Sequence, residues 1–307
     1  MTHQRIGFVG LGRMGAAMSA RLRDSGYQLE VYDVRQQAVD TLVGMGAFAA
    51  ESCKQIAERC DVIISSLPTP ESVEQAALGQ NGVVEGLSGG KTYIEMSTVD
   101  PDTTRRVGAA VASKGAHMLD VPVGKGPAAA AIGDLTLMIG GDEGVVENCK
   151  EILNALGSEQ FYCGTLGMGV TAKIVNNLVS CSISVLLGEA FTLGTAAGLE
   201  AGLLRQVMIN TAADTWHARN TFNERVLVRN FEPRFRLSLA HKDLGLASRL
   251  AGSLGSPSIV GSAAYEILTL AMRKGLGNED QSASVKVAEE IAGVEVRGSS
   301  SQSKASS

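Results

Sequence analysis

The chain has 307 residues, about twice an ordinary domain, so two domains are expected. Its 45% hydrophobic and 19% charged residues suit a globular protein with a sizeable core and exclude disorder over most of the length. A formal net charge of −5 excludes a general attraction to nucleic acid or anionic membrane, so any anionic ligand needs its own local positive charge.

To about residue 164, short β-rich runs alternate with amphipathic segments, the pattern of an α/β fold with a Rossmann-type doubly wound parallel sheet. Strands are predicted at 5–10, 28–33, 62–65, 92–95, 117–120, 136–139 and 159–163, and helices at 14–25, 37–45, 101–114 and 144–156. The first 164 residues are therefore read as a dinucleotide-binding domain, ended by a hinge at Gly164-Thr165-Leu166-Gly167-Met168-Gly169. Helical spacing dominates beyond it, and 165–296 is expected to be an all-helical domain for substrate binding and oligomerisation. Residues 178–203 have the length of a membrane span, but Glu189 and the interspersed serines and glycines favour a buried helix. The serine-rich segment 297–307 has little to bury and is expected to be disordered.

Five widely spaced cysteines without a C-x-x-C pair read as reduced, buried thiols of a cytoplasmic protein. The N-terminal apolar run lacks a signal-peptide cleavage pattern, and the four histidines lack ligand spacing, so no metal is expected.

Gly10-Leu11-Gly12-Arg13-Met14-Gly15 reads G-x-G-x-x-G between a predicted strand and a predicted helix. In that setting Gly10 makes the tight turn, Gly12 admits a pyrophosphate to the backbone, and Gly15 lets helix pack on strand. The helix N-terminus adds free N–H groups and a positive dipole end. The next predicted strand ends at Asp33, placed to accept from the adenosine ribose hydroxyls, with Val34 and Arg35 following. Asp33 repels a 2′-phosphate and Arg35 attracts one; the acid holds the fingerprint position, so NAD is expected rather than NADP. The segment Glu85-Gly86-Leu87-Ser88-Gly89-Gly90-Lys91-Thr92 imitates a P-loop, but it has glutamate for the first glycine and precedes a strand, so it reads as a surface turn.

A dinucleotide fold names no reaction. Lys173 and Asn177 lie four residues apart on one face of the long helix after the hinge, so both can face the same cleft. Reduction of a carbonyl builds an alkoxide that needs a proton donor, which a partly desolvated lysine can be. Asn177 could hold a substrate hydroxyl or fix the ammonium. The same residues also fit a plainer role, with the lysine snorkelling from an apolar helix and the asparagine meeting backbone groups.

These segments together resemble the β-hydroxyacid dehydrogenases, a family that includes 3-hydroxyisobutyrate dehydrogenase and tartronate semialdehyde reductase. The resemblance rests on the Gly10–Gly15 opening, Ser97-Thr98 before Pro101, Asp120-Val121-Pro122-Val123, Lys173 with Asn176-Asn177, and His241-Lys242-Asp243-Leu244. It implies that Lys173 is the general acid and base, that Asn176 and Asn177 bind substrate, and that Lys242 reaches the cofactor end of the cleft. It also implies that Leu67, Pro68 and Thr98 line the nicotinamide and its ribose.

One departure stands out. Most members follow Asp-x-Pro-Val with Ser-Gly-Gly, which holds the substrate carboxylate, whereas this chain follows Val123 with Gly124-Lys125-Gly126. A hydroxyl donor is gone and a cation has arrived, which suggests a sulfonate or a second carboxylate on the substrate. The loop resembles that of 3-sulfolactaldehyde reductase, which carries Gly-Arg there, although lysine lacks the arginine fork. Lys125 facing solvent is the plain alternative. Two other readings are an imine reductase, which usually lacks the helix lysine, and a non-catalytic dinucleotide-binding module, which tends to lose it. The expected protein is thus an NAD-dependent oxidoreductase for a small anionic hydroxy acid or its aldehyde. The alternatives are substrates of the 3-hydroxyisobutyrate, 4-hydroxybutyrate or tartronate semialdehyde type. A homodimer or homotetramer is expected, without nucleic-acid or membrane partners.

Overall fold

Four-residue apolar runs in the first half become strands buried on both faces. In a computed structural model that describes residues 4–298, the chain divides into two units, one running to Ile174 and the other starting at Val175. This division falls within a helix rather than at the 164/165 boundary read from the sequence. Residues 299–307, most of the segment expected to be disordered, lie outside the described residues.

The strands of the first unit are β1 (Ile6–Val9), β2 (Leu29–Tyr32), β3 (Phe48–Ala49), β4 (Val62–Ser65), β5 (Thr92–Glu95), β6 (His117–Asp120), β7 (Val123–Gly124), β8 (Thr136–Gly140) and β9 (Glu159–Gly164). They form one sheet in the order β3-β2-β1-β4-β5-β6-β8-β7, with β9 on β8. Pairs among β1 to β6 are parallel, as in the doubly wound sheet read from the sequence, while β8 runs antiparallel to β6 and β7 antiparallel to β8, an antiparallel edge on a mainly parallel sheet. The reversal lies between β7 and β8: β6 and β7 run the same way, and the chain turns back between Gly124 and Thr136 through the short helix Pro127–Ile132 to place β8 between them.

The helices are α1 (Arg13–Asp24), α2 (Gln36–Val43), α3 (Cys53–Arg59), α4 (Pro70–Leu78), α5 (Val83–Gly86), α6 (Pro101–Ala112), α7 (Pro127–Ile132), α8 (Glu143–Asn148), α9 (Lys150–Leu156) and α10 (Met168–Ala196). Alternate strand residues feed two cores. Ile6, Phe8, Ile64 and Leu119 join Met18 and Leu22 of α1 and Ile152 of α9. Val9, Ile63, Tyr93 and Met118 join Ile56 of α3, Val73 of α4 and Val107 of α6. The period of two thus explains why helices cover both faces. Helix starts follow capping chemistry: Thr69 and Ser72 form a reciprocal box before α4, and Asp100 accepts from Thr103 N–H at α6.

Asp120, at the end of β6, caps α10 from a distance. Its carboxylate accepts from Gly167 N–H at 2.8 Å and Val170 N–H at 2.7 Å. Burial pushes this carboxyl up to about 6, although backbone donors from Gly167, Val170 and Gly169 favour its charged form. Val170 lies in the core beside α6, so the start of α10 belongs with the first unit.

In the second unit α10 is followed by α11 (Ala201–Ile209), a π-helix (His217–Val226), α12 (Leu237–Ser253), α13 (Ile259–Arg273) and α14 (Val285–Ala292). Phe191 stacks on Phe222 at 4.7 Å in a core with Leu237, Leu244 and Leu268. His217 is buried in that core between Ser180 Oγ and Thr221 Oγ1, each at 2.9 Å, and burial lowers its pKa. α10 is long and apolar enough to cross a membrane by length and composition alone. It is buried along one side through Cys181, Val185 and Phe191, while Val175, Val179, Leu186 and Leu193 are exposed. The buried helix expected from the sequence is therefore buried in part. Of the cysteines, Cys163 is half-buried and the other four are buried.

Candidate active site

The three glycines of the opening motif have three separate jobs. Gly10 sits at φ +89°, and a Cβ there would come within 2.5 Å of the Ser66 carbonyl oxygen. Only a residue without a side chain lets the ends of β1 and β4 approach so closely. A Cβ on Gly15 would lie 1.9 Å from the Gly10 carbonyl oxygen, so α1 packs against the loop through that missing atom. At Gly12 a Cβ would meet nothing within 4 Å among the described residues, which leaves the outer side of the backbone open. Gly12 is also the N-cap of α1 and offers no side-chain cap, so the first-turn N–H groups are directed to whatever occupies that opening. An open cradle with uncapped N–H donors fits a dinucleotide pyrophosphate. Leu11 is buried, and Arg13 and Met14 begin the helix.

Asp33 stands just past β2, beside this loop. Its carboxylate accepts from Leu11 N–H at 2.7 Å and from Arg35 Nε and Nη2 at 3.0 and 3.1 Å. Burial raises the Asp33 carboxyl, but the hydrogen bonds from Arg35 and Leu11 outweigh it and hold the group below the usual carboxylate range. Val34 is exposed between them. The two opposing charges weighed from the sequence thus meet each other.

Next along the strand ends lie Leu67 and Pro68 after β4, and Ser97 and Thr98 after β5. The structure joins these two loops: Leu67 N–H donates to Ser97 Oγ at 2.7 Å. Thr98 is half-buried and Pro68 exposed. Ser97 entered the sequence reading only as part of a motif.

The altered loop forms the β7–β8 hairpin. A Cβ at Gly124 would lie 3.1 Å from Thr136 Cβ, so a serine here would press on its cross-strand partner, and glycine suits the pairing. Lys125 adopts φ +69°, a conformation that favours glycine. Its Nζ lies 2.8 Å from Asp134 Oδ2, and Ser158 Oγ donates to Asp134 Oδ1 at 2.5 Å. The hydrogen bond from Lys125, then that from Ser158, lowers the Asp134 pKa. Lys125 is exposed, in keeping with the solvent-facing alternative, and its charge is met there by an ion pair at the surface.

On α10, Lys173 is half-buried and lies in the first unit. Asn177, one turn later, belongs to the second unit and is buried there. Its Nδ2 donates to Asp243 Oδ2 at 2.6 Å, and Asn176 Nδ2 donates to Asn177 Oδ1 at 3.1 Å. Lys242 Nζ lies 3.1 Å from Asp243 Oδ1. The buried Asp243 of α12 therefore gathers three sequence-predicted residues into one polar array. The His-Lys-Asp-Leu motif contained this signal, but its acid was not singled out. The histidine of that motif, His241, stacks on Tyr265 and bonds Thr269 Oγ1, a packing role.

A dinucleotide cradle at the strand ends, joined to a lysine-bearing helix, defines the class: a nicotinamide-dependent oxidoreductase. Residues 5–167 match the family model of the NAD binding domain of 6-phosphogluconate dehydrogenase, and residues 167–288 that of the NAD-binding region of NADP-dependent 3-hydroxyisobutyrate dehydrogenase. The chain is 40% identical over 278 residues to 3-sulfolactaldehyde reductase of Escherichia coli (strain K12), covering 91% of this chain and 93% of that protein. It is 37% identical over 284 residues to the NAD-dependent L-serine dehydrogenase of Pseudomonas aeruginosa, covering 90% and 95%. Among solved structures, Mycobacterium tuberculosis 3-hydroxyisobutyrate dehydrogenase with L-serine matches with a TM-score of 0.86 and 29% identity, covering 93% of this chain and 99% of that one. The chain belongs to the β-hydroxyacid dehydrogenase family and is an oxidoreductase acting on the CH–OH group of small hydroxy acids.

Proposed function

We propose that this enzyme reduces a small aldehyde acid bearing a strong anionic group, of the 3-sulfolactaldehyde type, or oxidises the matching alcohol, with NAD(H). The observation that carries the substrate reading is Lys125, a cation held at φ +69° in the loop where the family resemblance implies Ser-Gly-Gly. The 40% identity to a 3-sulfolactaldehyde reductase supports it.

Each residue then has a chemical task. Gly10, Leu11, Gly12, Arg13, Met14 and Gly15 hold the pyrophosphate by backbone N–H groups and the dipole of α1. Asp33, with Val34 and Arg35 beside it, receives the ribose hydroxyls. Leu67, Pro68 and Thr98 serve the nicotinamide end, to which the family resemblance also assigns Lys242, and the bound dinucleotide supplies or takes the hydride. Val123, Gly124 and Lys125 hold the anion of the substrate; Asn176 and Asn177 hold its hydroxyl end. Lys173 Nζ gives a proton to the carbonyl oxygen in reduction and takes it back, as the amine, in oxidation. NAD is favoured over NADP because the Arg35 guanidinium already donates to Asp33, so a 2′-phosphate would have to draw it away.

One observation favours a second reading. Lys125 already has an anion in Asp134, so a substrate acid must compete for it. An ordinary carboxylate substrate, of the 3-hydroxyisobutyrate, 4-hydroxybutyrate or tartronate semialdehyde type, would then be held mainly by backbone donors of the loop. The test is kcat/KM for reduction of sulfolactaldehyde, succinic semialdehyde, tartronate semialdehyde and methylmalonate semialdehyde, with NADH and NADPH, for the wild type and Lys125→Ser. Preference for the sulfonate that Lys125→Ser abolishes supports the first reading; a leading carboxylate with a neutral Lys125→Ser supports the second.

The exposed side of α10, with Val175, Val179, Leu186 and Leu193, supports a homodimer or homotetramer in which a second copy covers it. We place the enzyme in the cytoplasm, without nucleic-acid or membrane partners. Light scattering of the purified protein reads the assembly directly.

A further inference from the structure

A buried carboxylate that the chemistry above does not use lies under the strand ends of the first unit. Ser65 and Glu95 are register partners on β4 and β5, and Tyr93 precedes Glu95 by two residues, so all three side chains share one face of the sheet. All three are fully buried. Glu95 Oε2 accepts from Ser65 Oγ at 2.5 Å and from Tyr93 Oη at 2.8 Å, while Glu95 Oε1 accepts from Ser97 N–H at 2.7 Å. Ser97 Oγ in turn accepts Leu67 N–H at 2.7 Å. One carboxylate therefore ties the end of β4 to the end of β5 and, through Ser97, fixes the first residues of both following loops.

Sheet stability alone gives no reason to bury an acid there, since burial disfavours its charge and raises its pKa while the hydroxyls of Ser65, Ser97 and Tyr93 act the other way. The two loops it fixes lie at the carboxyl ends of neighbouring parallel strands, where a doubly wound sheet holds the second half of a dinucleotide. The first half, at Gly12 and Asp33, lies at the ends of β1 and β2.

We infer that Glu95 and Ser97 are positioning residues that set the spacing of the Leu67-Pro68 and Ser97-Thr98 loops for the nicotinamide end of the cofactor. The inference rests on the reading that these loops face the nicotinamide. It separates the two ends of the cofactor: the Glu95 array governs the nicotinamide end and leaves the adenosine end alone.

The test compares binding of NADH with binding of ADP-ribose, which lacks nicotinamide, for the wild type, Ser97→Ala and Glu95→Gln, alongside Tm and kcat. Ser97→Ala removes one small hydroxyl and keeps the buried acid, so it stays informative if Glu95→Gln folds poorly. The expected result for Ser97→Ala is an NADH Kd raised about five- to tenfold, the equivalent of one buried hydrogen bond, with the ADP-ribose Kd unchanged and kcat reduced. A lowered Tm with both affinities unchanged, or both weakened equally, would overturn the inference and leave the array a part of the fold. If the wild type binds NADH no more tightly than ADP-ribose, the assignment of the loops to the nicotinamide falls, and the inference with it.

Discussion

The loop after β1 and the loop after β7 both receive anions in the proposed reaction, yet they are built in opposite ways. Gly10, Gly12 and Gly15 make the first from backbone alone, each glycine required by a different approach of main-chain atoms or by an open cradle. The second depends on the side chain of Lys125, whose charge is already met by Asp134. A site made of backbone can be read from residue types at fixed spacing, because nothing else can neutralise its donors. A site made of one flexible charge depends on partners that sequence places elsewhere, here nine residues on in Asp134 and further on in Ser158.

The contrast can be broken most severely at Lys173, which belongs to neither loop. Lys173→Ala is expected to lower kcat about a thousandfold, as loss of a general acid does, with the NADH Kd unchanged. Stopped-flow turnover and fluorescence titration read the two quantities; loss of binding together with turnover would mean that the lysine serves the cofactor site.

Asp120 sharpens the contrast, being a side-chain charge held by backbone donors. Its folded pKa of about 6 lies above the ordinary 3.8, so the folded chain keeps a proton that the unfolded chain releases between those values. That contribution to stability is complete below the ordinary value and is lost as pH rises through 6. Relative to Asp120→Asn, which does not titrate, the wild type should lose about 2 kcal/mol between pH 4 and 6.5. Urea unfolding of both proteins at the two pH values checks this, and a constant difference would contradict it.

At the first loop, Gly12→Ala places a methyl in open space, so Tm should hold while the NADH Kd rises about a hundredfold through displaced charge-assisted hydrogen bonds. Gly15→Ala, with 1.9 Å to a carbonyl oxygen, should lower Tm as well. Equal Tm losses in the two variants would remove the distinction between cradle and packing contact. The smallest effect is expected at the second loop: Lys125→Ser should lower kcat/KM for a sulfonate aldehyde about tenfold. Asp134→Asn should raise it a few-fold by releasing the lysine, and steady-state kinetics in low salt measures both.

The strands of the first unit were legible because residues such as Ile63 and Ile64 face opposite cores, which leaves a continuous apolar run with turn residues at its ends. The reversal at β8 was not, because the six-residue helix α7 and two-residue β7 are too short to show a period. The turn at Gly10–Gly15 and the nearness of Asp33 to it follow from motif spacing, whereas the Asp33–Arg35 fork is a matter of side-chain conformation. Lys173, Asn177 and Lys242 were named through motifs, whereas the bonds that Asp243, Glu95 and Ser97 make to residues distant in sequence needed the fold. The π-helix at His217–Val226 has an ordinary helical pattern; its wider turns come with a tertiary bond from His217 to Ser180 and a local one to Thr221.

The helix α10 is unbroken from Met168 to Ala196, and each residue advances it by about 100°. Lys173 and Asn177 share a face because of that angular count, whatever residues fill the positions between them. The segment should accept many substitutions and no insertion: one added residue after Ile174 would turn the asparagine about a quarter of the way round the rod from the lysine. Related chains that differ in length are expected to place their gaps in the loops on either side of this rod, which keeps phase as a gear tooth does.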